Sequence, residues 1–153
     1  MRTWFNRLTP LCLLLSLVAP VSSLAETADA ATVQVELTGL ENVSGNIYIA
    51  VYDSDDTWLG DEVVLQQKVV IAEALDGDIV RVEFQLQPGE YAFSIFYDSN
   101  NNGELDTNFI GIPNEPVAIS NNARPKFGPP KYKDAVFGLG AEPVIQRISI
   151  EAI

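Results

Sequence analysis

Oxygen-bearing side chains recur at alternate positions in Asp98-Ser99-Asn100-Asn101-Asn102-Gly103-Glu104-Leu105-Asp106. Asp98, Asn100 and Asn102 supply carboxylate or amide oxygens, and Gly103 follows where a chain curling around an ion must turn sharply. Glu104 can offer its backbone carbonyl, and Asp106 a further carboxylate, directly or through water. Alternation matters because side chains two residues apart can converge on one point. This is the ligand order of the first part of an EF-hand calcium loop. The expected ligands are therefore Asp98, Asn100, Asn102, Glu104 and Asp106, and the expected ion is Ca2+, with Leu105 pointing inward to pin the loop. Phe109, however, stands where an EF-hand places its bidentate Glu, and a strand pattern rather than a helix precedes the loop. A further carboxylate must come from elsewhere, with Glu115 and Asp134 as the candidates. Fewer fixed charges imply weaker binding. Asn and Gly are also the favoured turn residues, so a polar hairpin loop without metal is the alternative reading.

The residues that are missing narrow the chemistry further. The chain has no His, and its one Cys, Cys12, lies near the N-terminus. A Ser-His-Asp triad is excluded, and the usual zinc, copper and haem ligands are absent. Any metal must be hard and oxygen-bound. Paired acids can cleave glycosides without His, but no pair stands out among the 21 acidic residues. Arg124, Lys126, Lys131 and Lys133 cluster beside Phe127 and Tyr132. They read either as a patch for an anionic ligand or glycan, or as a solvated loop pairing with acidic neighbours. Trp58 could stack on a ligand, or cap one end of the domain as a largely buried aromatic.

The N-terminal segment is of another kind. Arg2 and Arg7 precede an apolar run from Leu8 to Val21, and Ser23-Leu24-Ala25 supplies small residues at the positions a signal peptidase reads. Residues 1–25 read as a signal peptide. The run is broken by Pro10 and Pro20 and is too short for a membrane span, which needs about 20 apolar residues. Of 153 residues, 128 follow a cut after Ala25; nine basic residues become seven against 21 acidic ones, a net charge of −14. Such a surface repels nucleic acid and anionic lipid and attracts divalent cations. The expected product is periplasmic or secreted, with no nucleic-acid partner and no membrane insertion after cleavage. With no cysteine left, its stability must come from the core, and a chain of this length can build one.

Residues 26–31 read as a flexible leader, and 32–153 as one β-sandwich domain. Val33, Val35 and Leu37 alternate with polar residues, as do Val80, Val82, Phe84 and Leu86; period two marks half-buried strands. Ile47, Ile49 and Val51 mark another, expected to pair with the first strand as a hairpin. Val69-Val70-Ile71 favours a strand by its β-branching. Tyr91 to Tyr97 is apolar on both faces, as a central strand would be. Pro116 to Ser120, Ala135 to Leu139 and Val144 to Glu151 complete the pattern. About seven or eight short strands imply an all-β fold, a Greek-key β-sandwich of Ig-like or prealbumin-like type.

The stretch from Tyr97 through the Asn-rich loop to Phe109-Ile110-Gly111-Ile112-Pro113 resembles the core motif of a bacterial family, domain of unknown function 2141. Ser120-Asn121-Asn122-Ala123-Arg124, Phe127-Gly128-Pro129-Pro130 and Asp134-Ala135-Val136-Phe137 are similar to its later motifs. The resemblance covers nearly all of the chain after the signal peptide. It implies an exported β-sandwich and carries no catalytic residues. Tyr97 stands where many members have His, Glu104 where Lys is expected, and Pro116 to Ile119 where a Gly- and aromatic-rich stretch is expected.

The expectation is thus an exported, non-catalytic β-sandwich module with one calcium ion in its Asp/Asn/Gly loop. The alternatives are a module binding an envelope glycan or protein through the long loop, Trp58 and Tyr132, and a carboxylate-based hydrolase.

Overall fold

The structure is a computed structural model that describes residues 29–40, 44–126 and 128–151. The signal-peptide reading for 1–25, and Phe127, fall outside the described residues. Among the described residues, nine strands run in the order β1 (Ala31–Thr38), β2 (Asn46–Tyr52), β3 (Leu65–Val70), β4 (Leu75–Asp76), β5 (Ile79–Leu86), β6 (Gly89–Asp98), β7 (Val117–Ile119), β8 (Phe137–Leu139) and β9 (Val144–Ser149). Two four-residue helical turns, α1 (Ile71–Ala74) and α2 (Tyr132–Ala135), and a 3-10 turn at Ser120–Asn122 interrupt them. The fold is all-β. The first strand takes in Ala31, the last residue of the expected leader, and buries it.

One sheet has the order β4-β5-β1-β9, the other β3-β2-β6-β7 with β8 also paired to β6. The alternation seen in the sequence is the reason. In β1, Val33, Val35 and Leu37 are fully buried, and in β5 Val80, Val82, Phe84 and Leu86 are buried. Ile47, Ile49 and Val51 of β2 and Phe93 and Ile95 of β6 meet them in a single core cluster. Phe84 and Phe93 touch across the layers at 5.5 Å between ring centroids. Tyr91 to Tyr97 is indeed central: β6 pairs with β2, β7 and β8. Its outer face is covered at Ala92 by Ile119 and Ala135, with Trp58 and Tyr132 packed against them.

Two expectations fail here. The first two strands do not form a hairpin: β1 pairs antiparallel with β5 and parallel with β9, while β2 lies in the other sheet. Alternation shows which residues face inward, but both strands face the same core from opposite sides, so it cannot say whether they pair. Ile71 is not in a strand either. It opens the turn α1, and its side chain is buried there.

The layers are fastened by a polar clamp of Ser120, Asn121 and Asn122, which in the sequence carry only a family motif and, at Ser120, the end of an expected strand; Ser120 opens the 3-10 turn instead. Ser120 is fully buried. Its Oγ accepts the Phe93 N–H at 2.9 Å and donates to the Ala135 carbonyl at 2.7 Å. Asn121 donates through Nδ2 to the carbonyls of Ala135 and Val136 at 3.0 and 2.8 Å. Asn122 accepts the Ser149 N–H at 2.8 Å and donates to the Arg147 carbonyl at 2.9 Å, so one amide side chain mimics a strand along β9. Ser120→Ala leaves the buried Phe93 N–H unpaired and the Ala135 carbonyl to Asn121 alone. It should lower unfolding stability by about 2 kcal/mol, measured as a fall in the urea midpoint at unchanged m-value.

Candidate functional site

The Asn-rich loop leaves the sheet at the C-terminal end of β6, whose last residue, Asp98, is fully buried. A buried carboxylate must find donors. The Asn102 N–H reaches Oδ1 at 3.2 Å and the Gly103 N–H reaches Oδ2 at 3.0 Å. Drawing the backbone back onto its own start bends it into a left-handed path, with φ of +61° at Asn101 and +82° at Gly103. Asn and Gly tolerate that region best. On the neighbouring strand Asn46 lies opposite Asp98, and its Nδ2 donates to Asn101 Oδ1 at 2.6 Å. A Cβ on Gly45 would stand 2.8 Å from the Asp98 carbonyl oxygen, so only glycine fits there.

The ring of side chains then closes. Asn100 Oδ1 accepts the Asn102 N–H at 3.0 Å, and Asn102 Oδ1 accepts the Glu104 N–H at 2.8 Å. Both amide groups donate to one carboxylate: Asn100 Nδ2 to Asp106 Oδ2 at 2.6 Å, and Asn102 Nδ2 to Asp106 Oδ1 at 3.2 Å. Glu115, only 5% exposed, returns to the loop from its far side. Its Oε1 accepts the N–H and Oγ–H of Ser99 at 3.0 and 3.4 Å, and its Oε2 accepts the Asp106 N–H at 3.2 Å. The return path is fixed by the Asn114 N–H on the Asp106 carbonyl at 2.8 Å and by a bridge between Thr107 and Pro113. Asn108 Oδ1 accepts the N–H groups of Ile110 and Ile112, each at 3.0 Å, and this orders a tip on which Phe109 is 98% exposed.

Asp98, Asn100, Asn102 and Asp106 are therefore in one hydrogen-bonded knot, and Glu115 joins it. Asp134 does not: it lies exposed in α2, where its N–H donates to the Lys131 carbonyl at 3.0 Å. Glu104 takes part through its N–H, with its side chain exposed. Leu105 does not pin the loop, being 38% exposed. The buried carboxylates of Asp98 and Glu115 hold the loop instead, because two charge-assisted acceptors inside it outweigh one apolar contact. Asn46 and Ser99 were missed, and nothing local in the sequence marks them; the pairing of β2 with β6 brings Asn46 to the site. Among the described residues, no three His, Cys, Asp or Glu side chains form a metal-holding group. The acids here are spaced by amides, and the two Asn Nδ2 groups take up the Asp106 carboxylate.

Trp58 and Tyr132 lie elsewhere, on the outer face of β6. Trp58 Nε1 donates to the Pro130 carbonyl at 2.8 Å, and its ring meets Tyr52 and Tyr132 edge-on at 5.1 and 5.8 Å. The Tyr132 hydroxyl is buried without a partner. Burial pushes its pKa up, and Glu90, Asp53 and Asp55 add to the rise. Nearby acids also line an open cleft of ≈ 340 Å³ formed by Asp53, Thr57, Glu62, Val63 and Val64. In the basic cluster, Arg124 forks onto the Glu151 carboxylate at 2.5 and 2.7 Å.

Residues 35–146 match the family described as "Uncharacterized protein conserved in bacteria (DUF2141)". The chain belongs to this family. The DUF2141 match runs from within β1 to within β9 and takes in the Asn-rich loop, Glu115 and the Ser120–Asn122 clamp. No curated protein and no solved structure matches the chain. Within this DUF2141 fold, Glu115→Ala should free the amides of Ser99 and Asp106. Their hydrogen exchange should accelerate at least tenfold, while core amides such as Ile49 and Phe93 change only with the global loss of about 2 kcal/mol.

Proposed function

We propose that this is an exported, non-catalytic β-module whose Asn-rich loop is held in shape by one calcium ion. The supporting observation is the closure of Asp98, Asn100, Asn102 and Asp106 into one knot backed by Glu115. Every side-chain acceptor in the knot is an oxygen, the donor type that calcium selects. Each of Asn100 Oδ1, Asn102 Oδ1 and Asp98 Oδ1 and Oδ2 accepts a backbone N–H, and an oxygen of this kind keeps a further lone pair. A calcium ion would replace the two Asn Nδ2 donors as the counter-charge of Asp106. The Coulomb gain is large because Asp98 and Glu115 are shielded from water while the chain as a whole carries a net charge of −12. Affinity should be weak, in the range of about 10⁻⁴–10⁻³ M seen for extracellular modules.

Export rests on the N-terminal pattern of residues 1–25. For a binding role, the exposed tip at Phe109 and Ile110 supports a protein partner better than a glycan. Trp58 and Tyr132, the aromatic pair that a sugar would need, are held edge-on to each other.

Calcium at about tenfold over its Kd adds about 1.4 kcal/mol by mass action, a rise in melting temperature of about 4–6 °C. EDTA should reverse it. Asp106→Asn removes the carboxylate without emptying a buried position, and should abolish the rise while leaving the calcium-free melting temperature within about 2 °C. No shift at millimolar calcium would remove the ion from the reading.

A further inference from the structure

Phe109 and Ile110 are the most exposed large apolar side chains among the described residues, at 98% and 65%, and Ile112 beside them is 42% exposed. The tip that carries them is closed by its own bonds. A bridge between Thr107 and Pro113 forms its base. The Asn108 N–H donates to the Ile112 carbonyl at 2.8 Å and the Gly111 N–H to the Asn108 carbonyl at 3.0 Å. Gly111 turns the chain back with φ of +80°, which glycine adopts without steric cost. The Ile110 and Ile112 N–H groups both reach Asn108 Oδ1, and Pro113 has no N–H to satisfy. The donors of Asn108, Ile110, Gly111 and Ile112 are thus all spent inside the tip.

Charge gives out at the same place. The chain carries a net charge of −12, yet residues 107–114 hold no charged side chain. Asp106 and Glu115 bound this stretch, and both carboxylates are turned back into the knot, onto Asn100, Asn102 and Ser99. The acidic surface that repels lipid elsewhere is interrupted here by a neutral, apolar projection.

We infer that this tip docks the domain on a lipid bilayer with neutral head groups, Phe109 and Ile110 entering the apolar region. That region offers no hydrogen-bond partners, so peptide groups entering it must be satisfied from within, and here four donors already are. A protein partner would gain little direction from the tip, whose peptide donors are spent and which has no charge to set a register. Lipid needs no matching pocket, because acyl chains close around a convex shape. The head groups must be neutral, since Asp98, Glu104, Asp106 and Glu115 stand at the base of the loop and an anionic surface would repel them. The contact is peripheral: among the described residues no helix is long and apolar enough to cross a membrane. It does not rest on the calcium reading, because hydrogen bonds alone close the tip. Three side chains should bind more weakly than one myristoyl chain, which gives about 10⁴ M⁻¹.

Vesicle flotation tests this on the protein purified from the exported fraction, in EDTA so that the outcome is independent of the ion. Phosphatidylcholine vesicles at about 5 mM lipid should carry a large share of the protein upward. Phe109→Ser should lower the partition coefficient about tenfold at an unchanged melting temperature, because so exposed a side chain supports nothing in the fold. Val64→Ser, at an apolar side chain exposed elsewhere, should leave partition unchanged. Adding phosphatidylglycerol should weaken binding at low salt. In Phe109→Trp, the emission should move to the blue on phosphatidylcholine and be quenched by bromine on the acyl chains. Absence of flotation, equal flotation of Phe109→Ser, or binding that requires anionic lipid overturns the proposal. So does a Phe109→Trp emission that shifts only when a second protein is added and never with lipid.

Discussion

A carboxylate buried at the end of the central strand has to be neutralised by hydrogen bonds, and the local structure around the loop follows from that need. Asp98 leaves the sheet with no water to solvate it. Leaving it unpaired would cost several kcal/mol, so the next residues bend until the Asn102 and Gly103 N–H groups face it. The bend needs left-handed backbone at Asn101 and Gly103. It also needs a neighbour without a side chain at Gly45, and an anchor on the adjacent strand at Asn46. Glu115 repeats the device from the other end of the loop, accepting from Ser99 and Asp106. Two buried acids therefore do for this loop what an apolar plug does for others.

The sheets supply the fixed frame. β6 is held by β2 along most of its length, by β7 near the loop and by β8 at the opposite end. Its core face is locked by Phe93, which meets Phe84 from the facing sheet and Phe137 from β8. Because the Ser120 hydroxyl ties β6 to the Ala135 carbonyl and Asn122 runs along β9, the segment after the loop is fastened to both sheets. The start and the end of the loop are thus set by rigid elements, and only the tip around Phe109 projects.

Much of this was legible in the residues. Period-two patterns located β1, β2, β5 and β6, because in a two-layer fold each strand has one wet and one dry face. The central place of β6 followed from Tyr91 to Tyr97 being apolar on both faces. The Asp/Asn/Gly order of the loop pointed to convergence, and Glu115 was one of two acids put forward to complete it. Other features depend on pairing, which a local pattern cannot show. The parallel β1–β9 contact joins the two ends of the domain, and the supposed hairpin between β1 and β2 is a crossing between sheets. Ser120, Asn121 and Asn122 look like ordinary turn residues until their partners on β6, α2 and β9 are in place. Leu105 was assigned by its hydrophobicity, yet the buried acids had already closed the loop and left it outside.

The claim on which the functional reading stands is that the oxygens of Asp98, Asn100, Asn102 and Asp106 share one centre fit for a divalent cation. Calcium titration followed by amide chemical shifts tests it residue by residue. The expected result is a saturable change confined to residues 98–106 and Glu115, with the largest shifts at Asn102 and Gly103. Shifts spread over Asp53, Asp61, Glu83 and the other surface acids without saturation, or no shift in the loop at all, would contradict it and leave calcium as a diffuse counter-ion.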